Sequence, residues 1–380
     1  MRIGVDALFD AHGGCLANLR MLLAEWHRSG ALKAHHLTVF ASPRTAARLA
    51  GFTDDHMDVV VLGANEGGVV GRFFYEQVTL PGLLRRGKIE VVFCPANTMP
   101  FAAAMPAVAT FQNAAPFCER LSEQGLGVGY RVRFALLGLA MRITASRARR
   151  VIFVSRYFQK LFEGRHGFEP ERGVVIYRTV PGTYSAGVVA LPAGVRAPFI
   201  LNVSHAYPYK NLVELVRGFA QSTGRLRPDV QLVIAGDHES TYGRRVREEI
   251  RTLGIADRVL LTGPVAPEAV EALLRGCEFF VFPSTCENCP TALIEAIAAG
   301  VPIVCSDAGV MPEIAGDAAV YFDGRSPSSI SEAIVRLEES ETTRAELRRR
   351  CAAACERFPT PAAAADATLA AILHAGERGA

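Results

Sequence analysis

The residues best placed to do chemistry lie in one stretch, Phe282-Pro283-Ser284-Thr285-Cys286-Glu287-Asn288-Cys289-Pro290-Thr291-Ala292-Leu293-Ile294-Glu295. An apolar run ends at Pro283, a polar turn carries Glu287, and Pro290 suits the first turn of a helix whose second turn carries Glu295. Free backbone N–H groups and the positive dipole end at 288–291 suit a phosphate, and a carboxylate on either side can accept hydrogen bonds from sugar hydroxyls. Hydroxyls, phosphates and ribose hydroxyls in that order make up a nucleoside diphosphate sugar. For a lone Glu-x7-Glu a helix cap and a solvated carboxylate would be the better account, so the surroundings decide.

A second candidate is Ile200-Leu201-Asn202-Val203-Ser204-His205-Ala206-Tyr207-Pro208-Tyr209-Lys210-Asn211, a strand-like run, a loop and a helix entrance. Lys210 there can offset phosphate charge as a C–O bond breaks, and His205 can donate to a phosphate with a charge that changes near neutral pH. Gly13-Gly14, after the first apolar run, permits close backbone approach to a ligand at a helix start. The full Gly-x-Gly-x2-Gly fingerprint is absent, which counts against a dinucleotide cofactor. Asn97 and Gln112-Asn113 follow the fourth and fifth runs as candidate polar contacts; an uncharged pair cannot serve as general base. No Asp-x-Asp occurs, and Cys286-x2-Cys289 has neither a second pair nor a nearby His to complete a zinc site. The expected chemistry uses no metal and no cofactor, and Cys286 and Cys289 read as small residues lining a turn.

All these residues must be held by post-strand loops. Apolar, β-branched runs at 2–6, 37–41, 57–62, 89–94, 107–111 and 151–155 alternate with helical-period segments, the rhythm of βαβ units and a parallel sheet. The pattern pauses in the Gly-, Pro- and Ala-rich linker 184–198. It resumes with strands at 199–204, 230–235, 258–262, 278–282, 302–305 and 319–322, helices near 210–222, 241–253, 267–275 and 290–299, and helical sequence over 327–357. The expected domains are 1–183 and 199–358, each Rossmann-like and doubly wound, facing each other across a cleft. A terminal helix within 359–380 is expected to pack back on the first domain. In open α/β sheets ligands bind beyond the carboxyl ends of the strands, where every candidate above falls.

Composition agrees with a globular protein: 380 residues, half hydrophobic and 21% charged, enough for two cores. Nine cysteines, mostly in apolar strand-like contexts, read as buried thiols, and disulfides are not expected. Met1 to Asp6 runs straight into strand-like sequence and no apolar run is long enough to span a bilayer, which predicts a cytoplasmic protein. The net charge of +3 is unevenly spread: residues 1–185 hold 22 Lys and Arg against 14 Asp and Glu, leaving 19 against 24 for the rest. Arg131, Arg133, Arg142, Arg147, Arg149 and Arg150 lie in an otherwise apolar, acid-free stretch at 129–150, a candidate contact with the anionic cytoplasmic membrane face; nucleic acid is not an expected partner.

At this point the sequence resembles the retaining glycosyltransferases of the GT4 type, whose fold is GT-B. The resemblance rests on Glu287-x7-Glu295, on Glu-Asn-Cys-Pro at 287–290, on Glu-Ala-x-Ala-x-Gly-x-Pro ending at Pro302, and on Gly309-x3-Glu313 followed by 318–323. It is close over 199–323 and looser through Gly13-Gly14, 72–81 and 151–157. It implies that Glu295 binds the nucleotide ribose and Glu287 contacts the donor sugar near its reacting carbon. It also implies that Asn288, Cys289 and Pro290 line the diphosphate and that the Gly13-Gly14 loop approaches donor and acceptor. Relatives carry Arg where this chain has His205, and many carry a His-Asp pair where it has Gln112-Asn113, so the resemblance implies that Asn97, Gln112 and Asn113 form the acceptor side and orient sugar or acceptor hydroxyls. The implied reaction moves a hexosyl unit from GDP-mannose or a UDP-sugar to a lipid-linked or soluble glycan, in polysaccharide or O-antigen assembly. A non-catalytic nucleotide-sugar-binding protein and a sugar-nucleotide epimerase of the same fold are the alternatives.

Overall fold

Runs that are apolar at every position, rather than at alternate ones, form strands covered on both faces, as parallel strands beneath helices must be. The computed structural model describes residues 1–9, 14–63, 68–118, 128–180 and 190–377. The chain divides into two compact units: Met1–Phe117, Val132–Thr179 and Pro359–Ala380 form unit 1, and Cys118–Arg131 with Val180–Phe358 form unit 2.

Unit 1 is built on β1 (Arg2–Ala7), β2 (His36–Ala41), β3 (Met57–Val61), β4 (Val91–Cys94), β5 (Ala107–Phe111), β6 (Arg150–Phe153) and β7 (Gly173–Val175). They form one parallel sheet in the order β3-β2-β1-β4-β5-β6-β7. Strand order reverses between β1 and β4, so the loops after them part and leave a crevice at the carboxyl edge. The helix Pro361–Glu377 completes this unit. Its Ala364, Ala365, Leu369 and Ile372 enter the core, and the Trp26 indole donates to the Ala365 carbonyl at 2.9 Å.

Unit 2 repeats the plan with β8 (Phe199–Val203), β9 (Gln231–Ala235), β10 (Val259–Gly263), β11 (Phe279–Phe282), β12 (Ile303–Ser306) and β13 (Ala319–Phe322), in the parallel order β10-β9-β8-β11-β12-β13. The reversal here falls between β8 and β11, the two strands that lead into the Lys210 and Glu287 loops. Gly236 closes the neighbouring corner: its φ is +146°, and a Cβ there would sit 2.2 Å from the Ser204 carbonyl oxygen. The loop after β9 therefore lies directly on the loop after β8.

All twelve expected strands occur, each within two residues at either end. The seventh strand of unit 1, β7, is only three half-buried residues long, too short for a periodic signal. The helical stretch 327–357 is two helices, Pro327–Glu339 and Glu341–Cys355, because the Ser340 side chain accepts from the Thr343 N–H at 3.2 Å and starts a new one. The expectation of no disulfide is corrected: Cys118 and Cys286 are bonded, and the other seven cysteines are thiols. The bonded pair sits in loops 168 residues apart, a pairing that composition cannot reveal. Residues 184–189 of the expected linker lie outside the described residues.

Candidate active site

In unit 2 the loop after β8 turns through a short 3-10 helix, Pro208–Lys210, and brings Lys210 against the loop after β11. The Lys210 Nζ lies 2.6 Å from Glu287 Oε1, with the two side chains 17% and 12% exposed. The same carboxylate oxygen accepts from Ser284 Oγ at 2.6 Å. The loop is fixed from beneath: Ser284 Oγ and Thr285 N both donate to the Tyr209 carbonyl, and Ser306 Oγ donates to the Ser284 carbonyl. Lys210 Nζ also stands 5.5 Å from the Tyr209 ring centroid and 5.4 Å from that of Phe282. Burial, then the neighbouring Glu287 charge, push the Tyr209 phenol up, so it stays neutral. Taking two charges out of water returns little net stability, which makes this pair a candidate for function rather than a stabilising bridge.

Beyond Glu287, Asn288 is buried, Cys289 is half-buried and buried Pro290 starts the helix Thr291–Ala298 with no side-chain cap. The Leu293 and Ile294 N–H groups bond the Pro290 carbonyl at 3.1 and 3.2 Å, so the N–H groups of Thr291 and Ala292 form the uncapped end of the helix. Glu295, on its second turn, is raised to about 7 by burial. This one strand-loop-helix carries Glu287, Asn288, Cys289, Pro290 and Glu295, and Lys210 reaches Glu287 from the loop after β8.

His205 is exposed, and its Nδ1 accepts from the Asp237 N–H at 3.0 Å. A neutral ring so held carries its proton on Nε2, which is left as a donor. His238, on the same loop as Asp237, is buried and pushed down by that burial.

In unit 1 the acceptor-side residues are joined to one another. Asn97, at φ +65°, accepts through Oδ1 from the Gln112 and Asn113 N–H groups at 2.7 and 2.9 Å. Gln112 Nε2 donates to the Pro95 carbonyl, while its Oε1 accepts from Cys15 Sγ and Arg178. Asn113 Oδ1 accepts from Ala115 N. These side chains shape the strand-end loops of unit 1. Gly14 opens the helix Gly14–Ser29 and gives its carbonyl to Arg178, whose guanidinium a Cβ at Gly14 would meet at 3.0 Å. Gly13 lies outside the described residues.

Sequence reasoning missed Ser284, Tyr209 and Arg178, and also a buried group near the end of β1. There Asp6 and Glu76 are both raised by burial, and Arg72 stands 3.7 Å from Glu76. Glu76 occupies a π-helical turn, Tyr75–Thr79, between the helices Gly68–Phe74 and Leu80–Arg86. Among the described residues no group of three or more His, Cys, Asp or Glu is arranged to hold a metal ion, and no helix is long and apolar enough to cross a membrane.

The profile of the glycosyl transferases group 1 matches residues 190–357, and that of glycosyltransferase family 4 matches residues 18–181. The chain belongs to the GT4-type glycosyltransferases. A D-inositol 3-phosphate glycosyltransferase of Acidothermus cellulolyticus is 28% identical over 207 residues, 51% of this chain and 46% of that protein. An N-acetylgalactosamine-N,N'-diacetylbacillosaminyl-diphospho-undecaprenol 4-alpha-N-acetylgalactosaminyltransferase of Campylobacter jejuni is 34% identical over 109 residues, 29% of this chain and 28% of that protein. The chain thus spans less than half the length of these curated relatives. The Anabaena protein HepE, solved in complex with UDP and glucose, superposes with a TM-score of 0.71 at 19% identity, covering 98% of this chain and 100% of that one. That likeness carries the GT-B fold.

Proposed function

We propose that this chain is a retaining, metal-independent hexosyltransferase that moves mannose or a similar sugar from a nucleoside diphosphate sugar to a hydroxyl acceptor in cell-surface polysaccharide or O-antigen assembly. The observation that carries the reading is the Lys210–Glu287 pair, 2.6 Å apart, beside the uncapped start of the helix that bears Glu295. The diphosphate lies between Lys210 and that helix start, whose combined positive potential takes the place of a metal ion. His205 donates to a phosphate oxygen through Nε2. Glu295 accepts from the ribose hydroxyls, and Glu287 stabilises positive charge at the anomeric carbon. The acceptor oxygen bonds to that carbon on the face the diphosphate leaves; the carbon–oxygen bond to phosphate breaks, and the acceptor proton passes to the departing phosphate. This route needs no general base from Gln112 or Asn113, which agrees with their internal bonds.

The likeness to proteins named for UDP and for a diphospho-undecaprenol substrate supports a nucleotide-sugar donor and a lipid-linked acceptor. A membrane face is supported by the helix Val128–Arg147, on which Val132, Leu136 and Leu139 form a stripe 52%, 62% and 51% exposed. By helical geometry Arg131 and Arg142 flank that stripe on one side and Arg133 and Arg147 on the other.

The test is release of nucleoside diphosphate from GDP-mannose, UDP-glucose, UDP-N-acetylglucosamine and dTDP-rhamnose, with and without EDTA, followed by NMR of the product's anomeric proton. One donor is expected to turn over, unaffected by EDTA, with its anomeric configuration kept. Inverted product, loss of activity in EDTA, or no turnover of any donor would each contradict the reading.

A further inference from the structure

We propose that Cys118 and Cys286 form a reversible thiol–disulfide site that sets the mobility of the loop carrying Glu287, with Cys289 as the thiol that exchanges into it. Cys286 immediately precedes Glu287 and is 6% exposed; its bond to Cys118 adds a covalent anchor to a loop otherwise held by hydrogen bonds to Tyr209, Ser306 and Lys210. Seven cysteines remain as thiols, whereas chains built for an oxidising compartment leave few outside disulfides. One of them, Cys289, stands three residues from Cys286, next to the start of the helix Thr291–Ala298, in the Cys-x2-Cys spacing that favours thiol–disulfide exchange.

The chemistry balances with a glutathione couple. Oxidation forms the Cys118–Cys286 bond, and the two electrons and two protons reduce one glutathione disulfide to two glutathiones. An internal exchange needs no couple: the Cys289 thiolate attacks Cys286 Sγ, the bond to Cys118 breaks, and Cys118 leaves as a thiolate that takes up a proton. Full reduction frees the Glu287 loop on the Cys286 side, whereas the internal exchange trades the anchor to Cys118 for a Cys286–Cys289 ring that encloses Glu287 and Asn288. Loops over a bound donor must open to admit it and to let the nucleoside diphosphate go, so the Cys118–Cys286 form is the slow one. The effect on turnover rests on the transferase reading, whereas the bond and the loop mobility do not.

The test equilibrates the full chain in glutathione buffers of varied ratio, blocks thiols with iodoacetamide and maps peptides by mass spectrometry, alongside amide hydrogen exchange of 284–290 and nucleoside diphosphate release. The expected result is a Cys118–Cys286 cross-linked peptide lost on reduction, with amide exchange about tenfold faster in the reduced loop and a parallel rise in turnover. Cys118→Ser should behave as the reduced protein in every buffer. Absence of the cross-link at every ratio would overturn the proposal, as would a cross-link whose reduction leaves exchange unchanged. Should no donor turn over in any redox state, the transferase reading fails and the exchange rates alone decide the switch.

Discussion

Lys210 and Glu287 hold opposite charges 2.6 Å apart in a largely buried setting, so removing one leaves the other without its partner. Glu287→Gln keeps an oxygen for Ser284 and Lys210 and should fold normally, while Lys210→Ala removes the cation proposed to face the leaving group. Lys210→Ala is expected to lower kcat by about 10²–10³-fold, the usual loss when one electrostatic stabiliser is deleted, measured by steady-state kinetics on the best donor. Glu295 gives a pH signature. Burial raises its carboxyl to about 7, so the folded chain holds that proton more tightly than the unfolded one does. Its contribution to stability therefore falls as pH rises from the ordinary carboxyl range to about 7 and is level above that. In the proposed role donor binding uses the ionised form, so donor affinity should rise through the same upper range and flatten in Glu295→Gln; calorimetric titrations from pH 6 to pH 8.5 check this. Glu287, Glu295 and Lys210 were legible because charged residues at fixed spacing around a helix start leave a trace in sequence. Ser284 and Tyr209 were not, because a backbone carbonyl that gathers a loop can belong to any residue type.

Among the elements, the terminal helix Pro361–Glu377 is part of the unit 1 core although it is last in sequence. Ile372 is fully buried there, so Ile372→Ala should cost about 2–5 kcal/mol. Scanning calorimetry should show the loss in one transition only, because the core of unit 2 is a separate cluster that shares no residue with it. The helix Val128–Arg147 makes the opposite case, with apolar side chains facing outward between arginines. Wild-type protein should sediment with phosphatidylglycerol vesicles and not with phosphatidylcholine vesicles, binding should weaken with salt, and Leu136→Asp should abolish it; equal binding to both vesicle types would remove the electrostatic part of the account. Strand positions were legible because a short, fully apolar run between helical periods is what a parallel strand needs when helices cover both its faces. The break at Ser340 was missed because one side-chain cap ends a helix without disturbing the apolar pattern.

At the scale of the whole molecule, two parallel sheets share one strand order, and in unit 2 the candidate residues stand on the loops that the reversal of that order separates. Alternating strands and helices, together with Glu287-x7-Glu295 and the motifs around it at 287–290, 295–302 and 309–323, pointed to the GT4-type family to which the chain belongs. The Cys118–Cys286 bond escaped the same reading because it joins loops far apart in sequence. The most direct test of the central claim is the comparison of kcat and KM for nucleoside diphosphate release between wild-type protein and Glu287→Gln, with thermal melts of both. The account predicts matching melts, a KM within a few-fold and a kcat lower by about 10²–10³-fold; a Glu287→Gln protein that turns over at the wild-type rate would contradict it.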